Sequence, residues 1–352
     1  MLLEFNLNFF LIFTLISLLI TFFISKYSKS LFSGSLLDRD FLKPQAFHKI
    51  PTARAGGIAV LLLLNLFILF YFLKFNVFLK DYFVISFALF FLGFLDDLKI
   101  KINPDVRLIL MILILLFSIE IFSIQITKTG LEYLDFCLEN KIFQLFFVLL
   151  CFLFIINGAN LIDGYNGLLT IHFIAITFIL SGINLINQHY NFLLILMSQI
   201  IIMFSFLFFN FPKAKIFLGD SGSYLCGSLI CLNTIKTHQL NPEVSPFFYS
   251  SILFYLFYEV FFSFIRKSIK KKSPLEPDKS HLHMLLYQSI EKLKKFKDSN
   301  YIVSCVINLT YFILIFPLLY FQENWLFCRY YFFFLLFFYT TTYYFLLRSK
   351  KI

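Results

Sequence analysis

The chain has 352 residues, of which 60% are hydrophobic and only 14% are charged, with a net charge of +10. A soluble domain usually has about 25% charged residues and a disordered chain is far less hydrophobic, so the composition excludes both classes. The apolar runs are continuous rather than alternating, which excludes an outer-membrane barrel. The composition therefore predicts an all-α polytopic membrane protein.

Apolar runs between charged or Gly/Pro-rich breaks predict about eleven transmembrane helices, because one crossing needs roughly 20 apolar residues. With the N-terminus out and the C-terminus in, the inner segments hold 24 of the 30 Lys and Arg residues and the outer segments hold six, as the positive-inside rule requires. We expect a single integral membrane domain over residues 1–352, with a basic cytoplasmic loop at 266–300. The predicted spans are 5–25, 57–75, 82–95, 107–124, 142–159, 167–186, 191–210, 218–235, 246–265, 301–321 and 326–347.

Five polar segments fall on the predicted cytoplasmic side, which indicates that they form one site. They are HKIPTARAGG at 48–57, the pair Asp96-Asp97, NGANLIDGYNG at 157–167, FLGDSGS at 217–223 and PDKSHLH at 277–283. Adjacent carboxylates repel and lose hydration near hydrocarbon, so the Asp pair needs a cation, a basic partner or water close by. The alternative for that pair is an ordinary span end followed by solvated charges.

Two of the segments have the residue types of an anion or metal site. Asn157, Asn160 and Asp163 stand three residues apart, so on a helix they share one arc; an amide-rich helix end is the alternative. In 219–223 the glycines let backbone N–H groups approach an anion, and Asp220 offers a hard oxygen ligand for Mg²⁺. The alternative there is a plain helix cap.

The pair His281-x-His283 lacks a Cys or a third His, so a loop that contacts phosphate or sugar is favoured over a structural zinc site. Basic loops attract polyanions and the interior abuts lipid. The five segments together predict a metal-assisted, phosphate-handling site, with a soluble diphosphate and a lipid phosphate as the substrates.

These segments resemble the polyprenyl-phosphate N-acetylhexosamine-1-phosphate transferases, the group of WecA, TagO and MraY. HKIPTARAGG is similar to the family's His-x-x-Pro-Thr-x-Arg-x-Gly-Gly element, FLGFLDDLKI to its Asp-Asp motif and NGANLIDGYNGL to its Asn-x-x-Asn-x-x-Asp-Gly-x-x-Gly motif. FNFPKAKIFLGDSGS is similar to the motif with the metal-ligand Asp, and PDKSHLHMLLY to the His-containing loop. The match runs in order from about residue 48 to 287, and eleven spans are closer to WecA than to MraY, which has ten.

The resemblance implies transfer of a sugar 1-phosphate from a UDP-N-acetylhexosamine to undecaprenyl phosphate, with release of UMP and the start of a lipid-linked envelope glycan of the cell wall or lipopolysaccharide. It implies a multi-pass protein of the bacterial cytoplasmic membrane whose active site is on the cytoplasmic face. The expected partners are the two substrates and the bilayer, with no nucleic acid; a homodimer is left open.

The resemblance also implies residue roles. Asp220 would bind Mg²⁺, with Mn²⁺ as an alternative ion, and Asn160 would be a second ligand or a phosphate contact. The expected catalytic residues are Asp96, Asp97 and Asp163. The expected substrate-binding residues are Lys49, Arg54, Asn157, Asn210, Phe217, His281 and His283.

Two departures from the family pattern are Ala53, where Pro is usual, and Glu259, where many members have Asp; Glu259 is left outside the predicted site. A phosphate monoester has its second pKa near 6, so a lipid phosphate is mostly a dianion at neutral pH. We therefore favour Asp96 and Asp97 as positioning or metal-supporting groups over proton acceptors. The alternative function is a transporter or flippase, although its acids should lie along the spans and not at their ends.

Overall fold

The structure, a computed structural model, describes residues 2–38, 51–100, 102–271, 273, 280–292 and 299–351. These residues form fourteen α-helices and one short β-hairpin. The helices are α1 (Leu2–Tyr27), α2 (Gly56–Phe75), α3 (Lys80–Asp97), α4 (Pro104–Ile121), α5 (Glu132–Leu138), α6 (Lys141–Ile162), α7 (Leu168–Ile186), α8 (Tyr190–Asn210), α9 (Gly219–Leu240), α10 (Pro246–Ile252), α11 (Phe254–Ile269), α12 (Leu282–Lys292), α13 (Asn300–Tyr320) and α14 (Trp325–Lys351).

Helices stand at all eleven predicted spans. Among the described residues, seven helices are long and apolar enough to cross a bilayer: α1, α2, α6, α7, α8, α13 and α14. Helices α10 and α11 meet at a bend of 74° and add an eighth crossing if they are counted as one span. The prediction of an all-α polytopic membrane protein is confirmed, while the number of eleven crossings and the N-out orientation stay predictions.

Three helices at predicted spans, α3, α4 and α9, are not among those seven. Helix α3 has charged residues at both ends, and α9 is rich in Gly, Ser and Thr. Both nonetheless pack closely on other helices: α3 lies against α2, α4 and α9, while α9 lies against α2, α3, α6 and α7 and is buried over almost its whole length. A helix that faces protein on every side does not need apolar residues for contact with lipid. This is why hydropathy alone does not identify α9 as a helix that could cross the membrane.

Small residues set the closest helix contacts at one end of α9. A Cβ on Gly93 of α3 would lie 2.5 Å from the backbone of Asp220, and a Cβ on Gly57 of α2 would lie 2.6 Å from the backbone nitrogen of Gly222. These helices therefore meet backbone to backbone, as small residues allow in membrane bundles. The contacts bring the end of α3 and the start of α2 to the start of α9.

The hairpin joins the polar segments to this end of the bundle. Strand β1 (Leu37–Asp38) pairs antiparallel with β2 (Thr52–Ala53), and Ala53 also bridges to Ile216. The first N–H groups of α2 are left without partners inside the helix; those of Gly56 and Gly57 donate to the carbonyls of Phe217 and Leu218. The segment before α9 is thereby tied to the start of α2.

Candidate active site

The side chain of Asp97 holds the start of α9. It ends α3, is 2% exposed, and accepts hydrogen bonds from the backbone N–H groups of Asp220 (3.0 Å) and Ser221 (2.9 Å) and from the Ser221 hydroxyl (2.7 Å). The first N–H groups of a helix have no partner inside it, and a carboxylate there is also favoured by the helix dipole. Asp97 is thus a cap that another helix supplies to α9.

Gly219 makes this cap possible. Its φ of +78° is in the left-handed region that favours glycine, and a Cβ at this position would lie 2.5 Å from a carboxylate oxygen of Asp97. The glycine therefore lets the carboxylate of Asp97 reach the backbone at the start of α9.

Arg54 links three carboxylates. Its guanidinium donates to Asp38 at 2.7 and 3.1 Å and lies 3.7 Å from Asp97 and 4.0 Å from Asp220. Burial works against its charged form, but the negative charges of Asp220, Asp97 and Asp38 outweigh that effect and raise the pKa of Arg54. The hairpin is the reason for this position, since Arg54 follows β2 and Asp38 ends β1.

Arg107 is a site residue that the sequence analysis did not single out. It lies in the first turn of α4, forms an ion pair with Asp96 and lies 3.8 Å from Asp220. In the sequence it is one of three basic residues after the Asp pair, and only its helical position, one turn into α4, distinguishes it from solvated lysines. The two residues of the Asp pair therefore have different partners: Asp97 contacts the backbone of α9, and Asp96 contacts Arg107.

The α6 stripe, formed by Asn157, Asn160 and Asp163, only partly faces the site. Asn160 accepts a hydrogen bond from Ser223 of α9 at 3.0 Å, whereas Asn157 donates to the carbonyl of Leu153 in its own helix. Asp163 follows the last residue of α6 and makes no hydrogen bond or ion pair within the described residues. Its enclosed position, together with the charges of Asp220 and Asp97, raises its pKa well above the usual value.

Asn210 and Phe217 are placed beside the site by the end of α8 and the segment after it. Asn210 is buried and both ends of its amide are bonded, since it accepts from the N–H of Gly167 (2.7 Å) and donates to the carbonyl of Ile216 (3.0 Å). Phe217 is half-buried. Asn210 therefore joins the turn after α6 to the segment before α9, and its predicted contact with substrate stays a prediction.

The two predicted histidines stack on each other with their rings 5.5 Å apart. His281 is bonded to Glu259, which the sequence analysis left out of the site, and His283 lies 3.3 Å from the hydroxyl of Tyr255. His283 also packs against Tyr165, two residues after Asp163. The predicted site residue Lys49 lies outside the described residues.

The donors at this site fit a magnesium ion that a substrate helps to hold. No group of three His, Cys, Asp or Glu side chains in the described parts of the chain is arranged to hold a metal by itself. Mg²⁺ commonly takes one or two protein carboxylates, substrate phosphates and water. Asp97 is occupied by backbone and Asp96 by Arg107. Asp220 has only longer ion pairs, to Arg54 and Arg107, and Asp163 has none within the described residues, so these two carboxylates are the candidate ligands, with the Asn160 amide oxygen nearby.

The fold and the site together define a polytopic membrane protein that gathers acidic and basic side chains where α2 and α9 begin and α3 and α6 end. The sequence profile described as glycosyl transferase family 4 matches residues 79–238. This stretch runs from α3 to α9 and contains the Asp pair, the α6 stripe and Asp220.

Relatives cover more of the chain. The undecaprenyl-phosphate alpha-N-acetylglucosaminyl 1-phosphate transferase of Thermotoga maritima is 28% identical over 282 residues, which is 80% of this chain and 81% of that protein. The phospho-N-acetylmuramoyl-pentapeptide-transferases of Streptococcus gordonii and Streptococcus pneumoniae serotype 2 are 31% and 29% identical over 232 and 228 residues. Those alignments cover 62% of this chain and 69% and 68% of the two relatives. The chain belongs to the family of these polyprenyl-phosphate sugar-1-phosphate transferases, which confirms the resemblance seen in the motifs.

Proposed function

We propose that the protein transfers a sugar 1-phosphate of the N-acetylhexosamine type from a UDP-sugar to undecaprenyl phosphate, releasing UMP and starting a lipid-linked envelope glycan. The proposal places the reaction at the cytoplasmic face of the bacterial inner membrane. The observation that carries it is the position of Asp220 between two guanidinium groups, at 4.0 Å from Arg54 and 3.8 Å from Arg107.

This arrangement suits a reaction between two anions. A diphosphate and a phosphate dianion repel, so the site must neutralise charge and hold the reacting phosphorus in line with the incoming oxygen. Arginine binds phosphate oxygens through its planar fork of donors, and both arginines are about a quarter exposed, so a ligand can reach them. The relatives named above act on undecaprenyl phosphate or on a phospho-sugar substrate, which supports the same pair of reactants here.

The carboxylates would have separate tasks. Asp220 and Asp163, with Asn160, would hold Mg²⁺, which when bound supplies positive charge to the phosphate oxygens. Asp97 would keep the start of α9 and therefore Asp220 in place, and Asp96 would orient Arg107. No strong base is required, because the attacking lipid phosphate is already ionised.

The direct test uses purified protein, undecaprenyl phosphate and a panel of UDP-sugars labelled with ³²P at the phosphate that is bonded to the sugar. The panel contains the UDP-linked forms of N-acetylglucosamine, N-acetylgalactosamine and N-acetylmuramoyl-pentapeptide. The expected result is that one donor sends the label into a lipid product, that UMP is released, and that added UMP reverses the reaction. The protein with Asp220→Asn is the matched control, because it keeps the size of the side chain and removes its charge.

Two results would contradict the proposal. If UDP were released and the lipid stayed unlabelled, the protein would transfer the sugar without its phosphate. If no donor reacted while labelled lipid crossed the bilayer of reconstituted vesicles, the flippase alternative would be favoured.

The metal assignment has its own test: EDTA should abolish transfer, and Mg²⁺ should restore it in the unchanged protein but not after Asp220→Asn.

A further inference from the structure

Glu259 is a buried carboxylate with no place in the reaction described above. It lies in α11 and is 1% exposed. One of its oxygens accepts from Nδ1 of His281 (2.8 Å) and from the backbone N–H of Leu282 (3.2 Å), and the other accepts from the hydroxyl of Tyr339 (2.6 Å). A carboxylate is stable away from water when it has such partners.

These hydrogen bonds fix the orientation of the His281 side chain and cap the start of a helix. Leu282 begins α12, so Glu259 caps α12 in the way that Asp97 caps α9. Since Glu259 accepts from Nδ1 of His281, the ring orientation is determined and Nε2 is the nitrogen left for a ligand. Tyr339 of α14 donates to the opposite oxygen, the one that His281 and Leu282 do not use.

The neighbouring histidine has a different environment. Burial lowers the pKa of His283 to about 4, and the negative charge of Glu259 opposes this shift without cancelling it. Its Nδ1 lies 3.3 Å from the Tyr255 hydroxyl, and its Nε2 is enclosed without a hydrogen-bond partner in the described part of the chain. His283 is therefore a neutral ring packed between His281 and Tyr165.

The histidine pair adjoins the acidic and basic cluster through one residue. Tyr165, whose ring lies 5.4 Å from that of His283, follows Asp163 by two positions. Helix α6, which leads to Asp163, packs closely on α11, since a Cβ on Gly158 would lie 2.2 Å from the carbonyl oxygen of Leu256. The start of α12 therefore lies beside the same end of the bundle as Asp220.

We propose that Glu259 is a positioning residue that holds His281, and not His283, as the imidazole that contacts the diphosphate of the sugar donor. The assignment rests on the proposed function. An imidazole bonded to a carboxylate through Nδ1 keeps one orientation, and in its imidazolium form Nε2 can donate a hydrogen bond to an anion. No proton is transferred in this contact, because the departing UMP leaves as a phosphate anion.

The test is a double-mutant cycle on purified protein, with kcat and KM for the donor as readouts. Glu259→Gln keeps the size of the side chain and an acceptor for Nδ1, and removes the charge. We expect it to lower kcat by about 10- to 100-fold, the usual effect of losing such a supporting carboxylate, with KM changed less than about threefold. In a His281→Gln background the same change should lower kcat by less than about threefold, because residues that act as a unit are not additive.

Tyr339→Phe is the matched control, since it removes a hydrogen bond to the same carboxylate but not the one to His281; kcat should stay within about threefold. Glu259→Asp keeps the charge and should retain more activity than Glu259→Gln, which gives a second test if the Gln variant does not fold. Additive losses in the cycle, or equal losses for Tyr339→Phe and Glu259→Gln, would overturn the assignment while leaving the proposed function intact. An unchanged protein that makes no lipid product overturns both.

Discussion

Asp96 and Asp97 are neighbours in the chain with the same chemistry, yet they have different partners. Asp97 is buried against three donors at the start of α9, and Asp96 is partly exposed and paired with Arg107. A buried carboxylate that bonds to backbone supports the fold, whereas an exposed ion pair contributes little to stability. The two residues should therefore differ in what their loss affects.

Replacing each residue by Asn separates the two effects. Asp97→Asn places an amide NH₂ against backbone N–H groups, so we expect the unfolding free energy to fall by about 1–3 kcal/mol together with activity. Asp96→Asn should lower sugar-phosphate transfer at least tenfold while the thermal unfolding midpoint of the purified protein changes little. Equal shifts of the midpoint for both variants would contradict this division.

Arg107 is expected to bind a phosphate oxygen of one substrate, because it lies beside both Asp96 and Asp220. Arg107→Lys keeps the charge and removes the planar fork, so we expect kcat/KM to fall by about 10-fold or more, or roughly 1.4 kcal/mol. Arg329→Lys is the matched control, because Arg329 donates to the carbonyl of Gly130 and both residues lie in segments that are predicted to face the outside. Similar losses for the two variants would show that Arg107 acts through packing alone.

At the scale of elements, the contact between α3 and α9 determines where Asp220 lies. Gly93 touches the backbone of Asp220 and Ser221, so even one added methyl group would separate the helices. The site is thus assembled from helix ends that can lie this close together only because glycine has no side chain. This makes Gly93 as important for the site as the residues that carry charge.

Gly93→Ala should therefore lower activity more than tenfold, because a Cβ at 2.5 Å from backbone atoms cannot be accommodated without a shift of α3. Gly182→Ala in α7 is the control, since a Cβ there meets nothing within 4 Å. It should leave activity unchanged and stabilise the helix by about 0.5–1 kcal/mol. Activity and thermal unfolding of the two variants give the answer, and full activity of Gly93→Ala would refute the proposed role of this contact.

At the scale of the whole molecule, the distribution of basic residues predicts which face is cytoplasmic. Residues in α5 should then face the outside, and the end of α11 should face the inside. The side chains of Glu132 and Lys270 are exposed at these two places. They offer positions where labelling reports orientation without disturbing the bundle.

Cysteines placed at these positions, in a background with Cys137 and Cys305 replaced by Ser, test the orientation. A maleimide that cannot cross membranes should label Glu132→Cys in intact spheroplasts and should label Lys270→Cys only after permeabilisation. The opposite pattern would place the polar cluster on the outer face, where UDP-sugars are absent. The proposed function would then be wrong.

Much of the site could be predicted from sequence because its residues stand in short local patterns. Asp220 and Asn160 were expected at one face, and the structure places α9 and α6 side by side with Ser223 bonded to Asn160. Arg107 and Glu259 were not expected as site residues, because a single charge within an apolar helix has the same appearance whether it binds lipid headgroups, water or a partner. Their partners stand on other segments of the chain, since Asp96 ends α3, Asp220 begins α9 and His281 precedes α12. Only the packing of these segments against α4 and α11 brings each charge to its partner.

The amino-acid sequence by itself determined the class of protein, the approximate positions of its helices and the family motifs, since hydrophobicity and motif spacing are local properties of a chain. The tertiary structure decided which carboxylates hold helices in place and which are left for substrate. It showed that Asp97 and Asp220 have different hydrogen-bond partners, as do His281 and His283. The physical reason is that hydrogen bonds and ion pairs depend on distances of a few ångströms between helices, which no pattern along one helix records.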